Sequence, residues 1–148
     1  PEYIYIDADK MSVHKDGDKQ VKVIAGKFEN AEGPVKGHNI EPIYFDIELT
    51  KDKLFSYKLP STQNTFIYLI NVEIEIGKNK HDNVKESTLI LLTRGEDLIV
   101  QAKSNAKFLL ISGKPINEEI ARGGPFVMNT KAEILQAVQD YHNGTFVK

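Results

Sequence analysis

The sequence of 148 residues has 41% hydrophobic and 27% charged residues and a formal net charge of −2, a balance of ordinary globular domains rather than disordered, fibrous or membrane-embedded chains. Cysteine is absent, which removes disulfides, thiolate metal sites and thiol nucleophiles. Arg94 and Arg122 are the only arginines, so both the broad basic field and the guanidinium forks that read nucleic acid are missing, and no direct nucleic-acid partner is expected.

Residues 1–19 read as a lead-in segment. The opening Pro1-Glu2-Tyr3-Ile4-Tyr5-Ile6-Asp7 lacks the basic-then-apolar order of a signal peptide, and no later apolar run reaches bilayer-spanning length. The expectation is a cytoplasmic chain with no membrane partner. A start at Pro rather than Met raises the further expectation that residues precede it.

An Asp16-Gly17 turn signal precedes an apolar alternation over residues 20–25, the first predicted strand. Residues 29–39, with Gly33, Pro34, Gly37 and Asn39, read as a loop. Over residues 42–49, Ile43, Phe45, Ile47 and Leu49 share one face and Tyr44, Asp46 and Glu48 the other, the period-two pattern of a half-buried strand. Residues 65–76 continue as a strand until Gly77 opens a polar loop through Asn83. Short apolar runs at 88–92, 98–101 and 107–112, separated by polar turns, complete an expected barrel or sandwich over residues 20–112.

After Gly113-Lys114-Pro115 the pattern changes to an extended tail and helix over residues 113–148. Thr130-Lys131-Ala132-Glu133 has capping-box spacing, Ile134, Leu135, Val138 and Tyr141 form a helical stripe, and Gly144 is placed to end the helix. No composition break marks a second domain, so one domain over 1–148 is predicted. The fold class expected is all-β with a C-terminal helix.

Candidate sites are few. His14, His38, His81 and His142 sit in or beside polar turns or at the helix end, and none shares a face with another; His38 with Glu41 is the one near pair, in a loop. Asp7 and Asp9 lack the glycine and distal glutamate of a calcium loop. Lys51, Lys53 and Lys58, and Lys78, Lys80 and His81, read as solvated charge. Asn143-Gly144-Thr145 fits a glycosylation acceptor but serves equally as a helix stop. The apolar trio Phe126, Val127 and Met128, between Pro125 and Asn129, either closes the bottom of the barrel or is the candidate interface with a partner domain. Tyr44, Asp46, Glu48 and Tyr68 are candidates for a polar site in the barrel interior.

Ser112-Gly113-Lys114-Pro115-Ile116-Asn117-Glu118, then Gly124-Pro125-Phe126-Val127-Met128-Asn129-Thr130, then Asp140-Tyr141-His142-Asn143-Gly144-Thr145-Phe146, resemble the C-terminal half of the pirin family, as does Val21-Lys22-Val23-Ile24-Ala25-Gly26 with Gly33-Pro34-Val35. The resemblance implies a cupin-type double-stranded β-helix, a jelly-roll barrel, in a bicupin whose N-terminal barrel holds iron through three histidines and a glutamate. Cupin ligands resemble a histidine–x–histidine pair, a glutamate and a later histidine, a set that leaves open positions on iron. Where such groups would lie, this chain reads Leu59-Pro60-Ser61-Thr62-Gln63-Asn64 and Val100-Gln101-Ala102-Lys103-Ser104-Asn105. Asn71 stands where cupin barrels resemble one another in having a turn glycine.

The resemblance therefore implies no catalytic residue, no metal ligand and no cofactor in this chain, with iron in an N-terminal cupin of the same protein as its partner. The expected role is a non-catalytic domain that packs against and covers that cupin, in a parent similar to iron-dependent quercetin 2,3-dioxygenases and to transcriptional co-regulators. Two alternatives stand beside it: a small-ligand or enzymatic barrel with an unorthodox interior site, and a protein-interaction module or homodimer acting through residues 113–128 and the helix.

Overall fold

The structure, a computed structural model, describes residues 4–37, 39–77 and 82–147. These fall into two compact units, residues 6–115 and residues 4–5 with 116–147.

Alternation builds the first unit. After a 3-10 turn at Ala8–Lys10 come β1 (Ser12–Asp16), β2 (Lys19–Ala25), β3 (Lys27–Phe28), β4 (Ala31–Glu32), β5 (Ile43–Leu49), β6 (Leu54–Lys58), β7 (Asn64–Asn71), β8 (Ile74–Ile76), β9 (Asp82–Val84), β10 (Thr88–Leu91), β11 (Asp97–Ala102) and β12 (Ala106–Gly113). β1-β2-β5-β12-β7-β10 form one sheet, β6-β11-β8-β9 a second, and β3-β4 a small hairpin. On β5, Ile43, Phe45, Ile47 and Leu49 are buried, and β12 buries Ala106, Phe108, Leu110 and Ser112 in the same rhythm. Each strand commits one side to the space between the sheets, because successive side chains point to opposite faces.

That space is a single aromatic and aliphatic core fed by both sheets. Phe55 of the smaller sheet meets Phe108 of the larger at 5.9 Å between ring centroids, and Phe28 from the β3-β4 hairpin reaches Phe45 at 5.8 Å and Phe55 at 5.6 Å. Tyr57 lies beside them, and its hydroxyl donates to the Lys27 carbonyl at 2.9 Å. The architecture is the expected jelly-roll, with β12, the last strand of this unit, lying between β5 and β7.

The differences from the sequence reading lie in short pieces. β6 was not expected; only Phe55 on it is fully buried, too little to make a pattern. β1 lies in the supposed lead-in, β3 and β4 in the supposed loop at 29–39 and just before it, and β9 in the polar loop after Gly77. The long strand at 65–76 is two, β7 and β8, broken where Val72 takes φ 54°. Left-handed backbone is costly for a β-branched residue. It is Val72, not Asn71, that turns; the Asn71 side chain accepts the Lys107 amide at 2.6 Å, where the β7–β12 register shifts.

In the second unit β13 (Ala121–Gly123) pairs with β14 (Phe126–Met128), and α1 (Lys131–His142) follows. The capping box forms as read: Thr130 Oγ1 accepts from the Glu133 amide, and Glu133 Oε2 accepts from the Thr130 amide at 2.7 Å. At the other end Gly144 at φ 70° lets its own amide reach the Tyr141 carbonyl and that of Thr145 reach Asp140, a Schellman closure. Gly123 is required by packing, since a Cβ there would stand 2.4 Å from Ile134 Cγ2.

Two outcomes follow. Phe45→Ala should cost about 3–5 kcal/mol of unfolding free energy in urea titrations of the purified chain, since Phe45 is fully buried against the rings of Phe28 and Tyr57. Burial pushes the Tyr57 phenol above its ordinary value, so its contribution to stability is present below about pH 10 and is lost as pH rises through the raised value. Near-ultraviolet phenolate titration of the protein and its Tyr57→Phe variant checks this; a difference trace at or below the ordinary tyrosine value contradicts it.

Candidate functional site

The first place to look for chemistry is the interior, and the apolar sets of β2, β5, β7, β11 and β12 occupy it. Four polar side chains are buried among the described residues. Glu75 on β8 pairs with Lys103. Gln63, Thr65 and Ser112 are linked in series: Ser112 Oγ donates to Gln63 Oε1 at 2.8 Å, and Gln63 Nε2 donates to the Glu41 carbonyl at 3.2 Å. Since the Ser112 proton is committed, Thr65 Oγ1 donates to Ser112 Oγ at 2.7 Å. Of residues 59–64, Gln63 thus supplies a structural tie.

These donors do not fit an iron site. An amide and two hydroxyls are neutral and already use one another, whereas iron in such barrels calls for imidazole and carboxylate. Among the described residues no three His, Asp or Glu side chains are grouped so as to hold a metal ion. His14 packs edge-on against Phe28 at 5.3 Å, and His142 ends α1. His38, Lys78, Lys80 and His81 lie outside the described residues, so the His38–Glu41 pair does too.

Tyr44, Asp46 and Glu48 point away from the core, and Tyr68 is 39% exposed. The interior orientation considered for them is replaced by an outer one, because Ile43, Phe45, Ile47 and Leu49 take the inner parity of β5. Lys107 lies opposite: its ammonium is 2.9 Å from Glu48 and 3.4 Å from Asp46. The hydrogen bond to Glu48, with Asp46 adding its charge, holds Lys107 above the usual lysine range. Asp46 Oδ1 is buried without a hydrogen-bond partner among the described residues.

Two open depressions mark the surface of this unit. One of about 530 Å³ is lined by Lys15, Asp18, Lys19, Glu48, Asn71 and Lys107. Both its carboxylates are paired: Lys53 neutralises Asp18 at 2.6 Å and Lys107 neutralises Glu48. The other, about 420 Å³, lies over Gly26, Glu32, Pro42 and Gln63. In the first, Thr50 Oγ1 donates to Asp18 Oδ1 at 3.2 Å, but the hydrogen bond from Lys53 holds the Asp18 carboxyl below its ordinary value, which makes it a poor base for that hydroxyl.

In the second unit the candidate interface splits. Phe126 and Met128 are half-buried, Phe126 against Phe146 at 5.0 Å and Tyr141 at 6.1 Å, while Val127 is 62% exposed. Pro125 is exposed in the turn, and Asn129 Nδ2 donates to Glu118 Oε2 and the Glu119 carbonyl, so it orders the approach to the helix. Ala137 is the only buried residue of α1, and Leu135 and Tyr141 are open.

The reading by sequence missed the outward apolar residues Phe66, Leu89, Leu91, Leu109 and Ile111. A signal was there. Residues 89–92 and 108–111 are apolar without interruption, which marks strands covered on both faces rather than one.

The family profile of the Pirin C-terminal cupin domain matches residues 44–147. The chain is 32% identical to a pirin-like protein of Caulobacter vibrioides over 99% of its own length and 52% of that protein, and 36% identical to a pirin-like protein of Solanum lycopersicum over 88% of its own length and 45% of that one. A putative quercetin 2,3-dioxygenase of Pseudomonas aeruginosa is 30% identical, with 86% and 46% covered. Among solved structures, a quercetin 2,3-dioxygenase from Acinetobacter baumannii superposes with a TM-score of 0.87 at 29% identity, over 98% of this chain and 50% of that one. The chain thus spans about half the length of the curated relatives it matches.

Ser112→Ala should leave Gln63 Oε1 and the Thr65 hydroxyl without their shared partner, at a cost of about 1–3 kcal/mol. Denaturant unfolding measures it, and a neutral result would mean that water replaces the serine.

Proposed function

Because the chain belongs to the pirin family, as its C-terminal cupin domain, we propose that its role is structural: it packs against and covers a metal-bearing N-terminal cupin of the same protein. The supporting observation is the donor set. Where the family resemblance would seek ligands, this barrel has a closed amide–hydroxyl series and a filled interior. A site that must bind iron and dioxygen needs nitrogen and carboxylate ligands with positions left open. In this reading those belong to the other half, together with any quercetin-dioxygenase activity of the kind named for the Pseudomonas and Acinetobacter relatives. The domain's contribution is to exclude water from its neighbour and fix its loops, which only rigid, well-packed elements can do.

The test is metal analysis and turnover of the isolated chain. Purified and dialysed, it should carry substoichiometric iron, nickel and zinc and leave quercetin unchanged at every metal loading. The same chain preceded by a pirin N-terminal cupin half should carry one metal equivalent. Stoichiometric metal in the isolated chain, or quercetin consumption by it, overturns the proposal.

A further inference from the structure

The larger sheet is apolar on both sides. Its inner side is the core. On its outer side, register aligns Leu91 of β10 with Phe66 of β7, Phe66 with Ile111 of β12, and Ile111 with Tyr44 of β5. A second row runs from Leu89 to Tyr68, Leu109 and then Asp46. The next is polar, with Asn71, Lys107, Glu48 and Gln20. The result is an aliphatic and aromatic band across three to four strands, bounded on one side by the Lys107–Glu48–Asp46 ion cluster.

The band is most open where it meets the sheet edge: Leu91 is 77% exposed and Leu89 55%. There β10 ends the sheet, and its stretch Thr88-Leu89-Ile90-Leu91-Leu92 carries neither charge nor proline. Natural sheets guard an exposed edge with lysine, proline or a bulge, because unpaired backbone and apolar side chains recruit other strands. An edge left unguarded beside an apolar face rimmed by charge is the pattern of a surface meant to be covered.

We infer that the outer face of the six-stranded sheet, centred on Phe66, Tyr68, Leu89, Leu91, Leu109 and Ile111, is where the N-terminal cupin half docks. This rests on the proposed structural role and names the surface that performs it. The occupant follows from length. The relatives carry about as much chain again as is present here, and a half tethered to this one faces it at an effective concentration of about millimolar. A second copy would have to bind more tightly than that to compete. The complementary surface is therefore aliphatic and aromatic, with a basic or hydrogen-bond-donating group at its margin toward Glu48.

Hydroxyl-radical footprinting decides the matter, comparing the isolated chain with a polypeptide in which the N-terminal cupin half of the Caulobacter relative precedes it. The expected result is several-fold protection of Tyr68, Leu89 and Leu91 in the longer protein. The protection of Tyr68 should be lost in a Leu89→Glu/Leu91→Glu variant whose thermal unfolding as an isolated chain is unchanged. If the two halves resist proteolysis as one body while these side chains stay as reactive as in the isolated chain, the face is wrong and the structural role survives. If the halves are cleaved apart and unfold independently, the structural role fails and the face with it. A dimer of the isolated chain that dissolves on the double substitution, with no protection in the longer protein, assigns the face to a second copy and overturns the inference.

Discussion

The meeting of Phe55 with Phe108 across the gap between the two sheets is the contact on which the rest depends. It joins the smaller sheet to the larger, and Phe28 and Phe45 complete the ring cluster around it. Interiors packed at crystal-like density have no spare volume. A barrel that closes in this way gives its inner positions to dispersion and hydrophobic burial. The linked polar group Thr65–Ser112–Gln63 is satisfied internally. The opposite parity of these strands forms the outer surfaces.

Those surfaces were only partly legible beforehand. Strands whose two faces differ in polarity could be read directly: β5 alternates without a fault from Ile43 to Leu49, and the helix announced itself by Thr130 and Glu133, whose reciprocal hydrogen bonds form as the spacing required. Absolute orientation was harder. Alternation says that Tyr44, Asp46 and Glu48 share a face but not which face; that follows from the competition of the other parity, where isoleucine, phenylalanine and leucine gain far more from burial.

What stayed illegible is physically of one kind. β6 has one fully buried residue, β3 and β4 have two residues each, and β9 has three. Elements this short are held by tertiary pairing, such as Phe55 against Val100, and leave too few positions for a period to emerge. The same holds for Val72, whose left-handed backbone belongs to the turn between sheets and runs against its β-branched preference. A neighbouring asparagine drew the expectation because its side chain tolerates that geometry, yet in the fold its side chain serves the backbone of β12 instead.

The uninterrupted runs at 89–92 and 108–111 connect these strands to the domain's place in a larger protein. In an antiparallel sheet with one wet face, every second residue should be polar. Residues 108–111 break that rule on β12, a strand flanked by two others, and residues 89–92 break it on β10 at the edge. Leu109 and Ile111 are already half-buried on the outer side, whereas Leu89 and Leu91 at the edge stay open, so part of the hydrophobic driving force of residues 6–115 is left unspent. The charge cluster of Lys107, Glu48 and Asp46 marks where the need for cover ends: ions there are stable in water, and moving them under an apolar lid would cost more than their pairing returns.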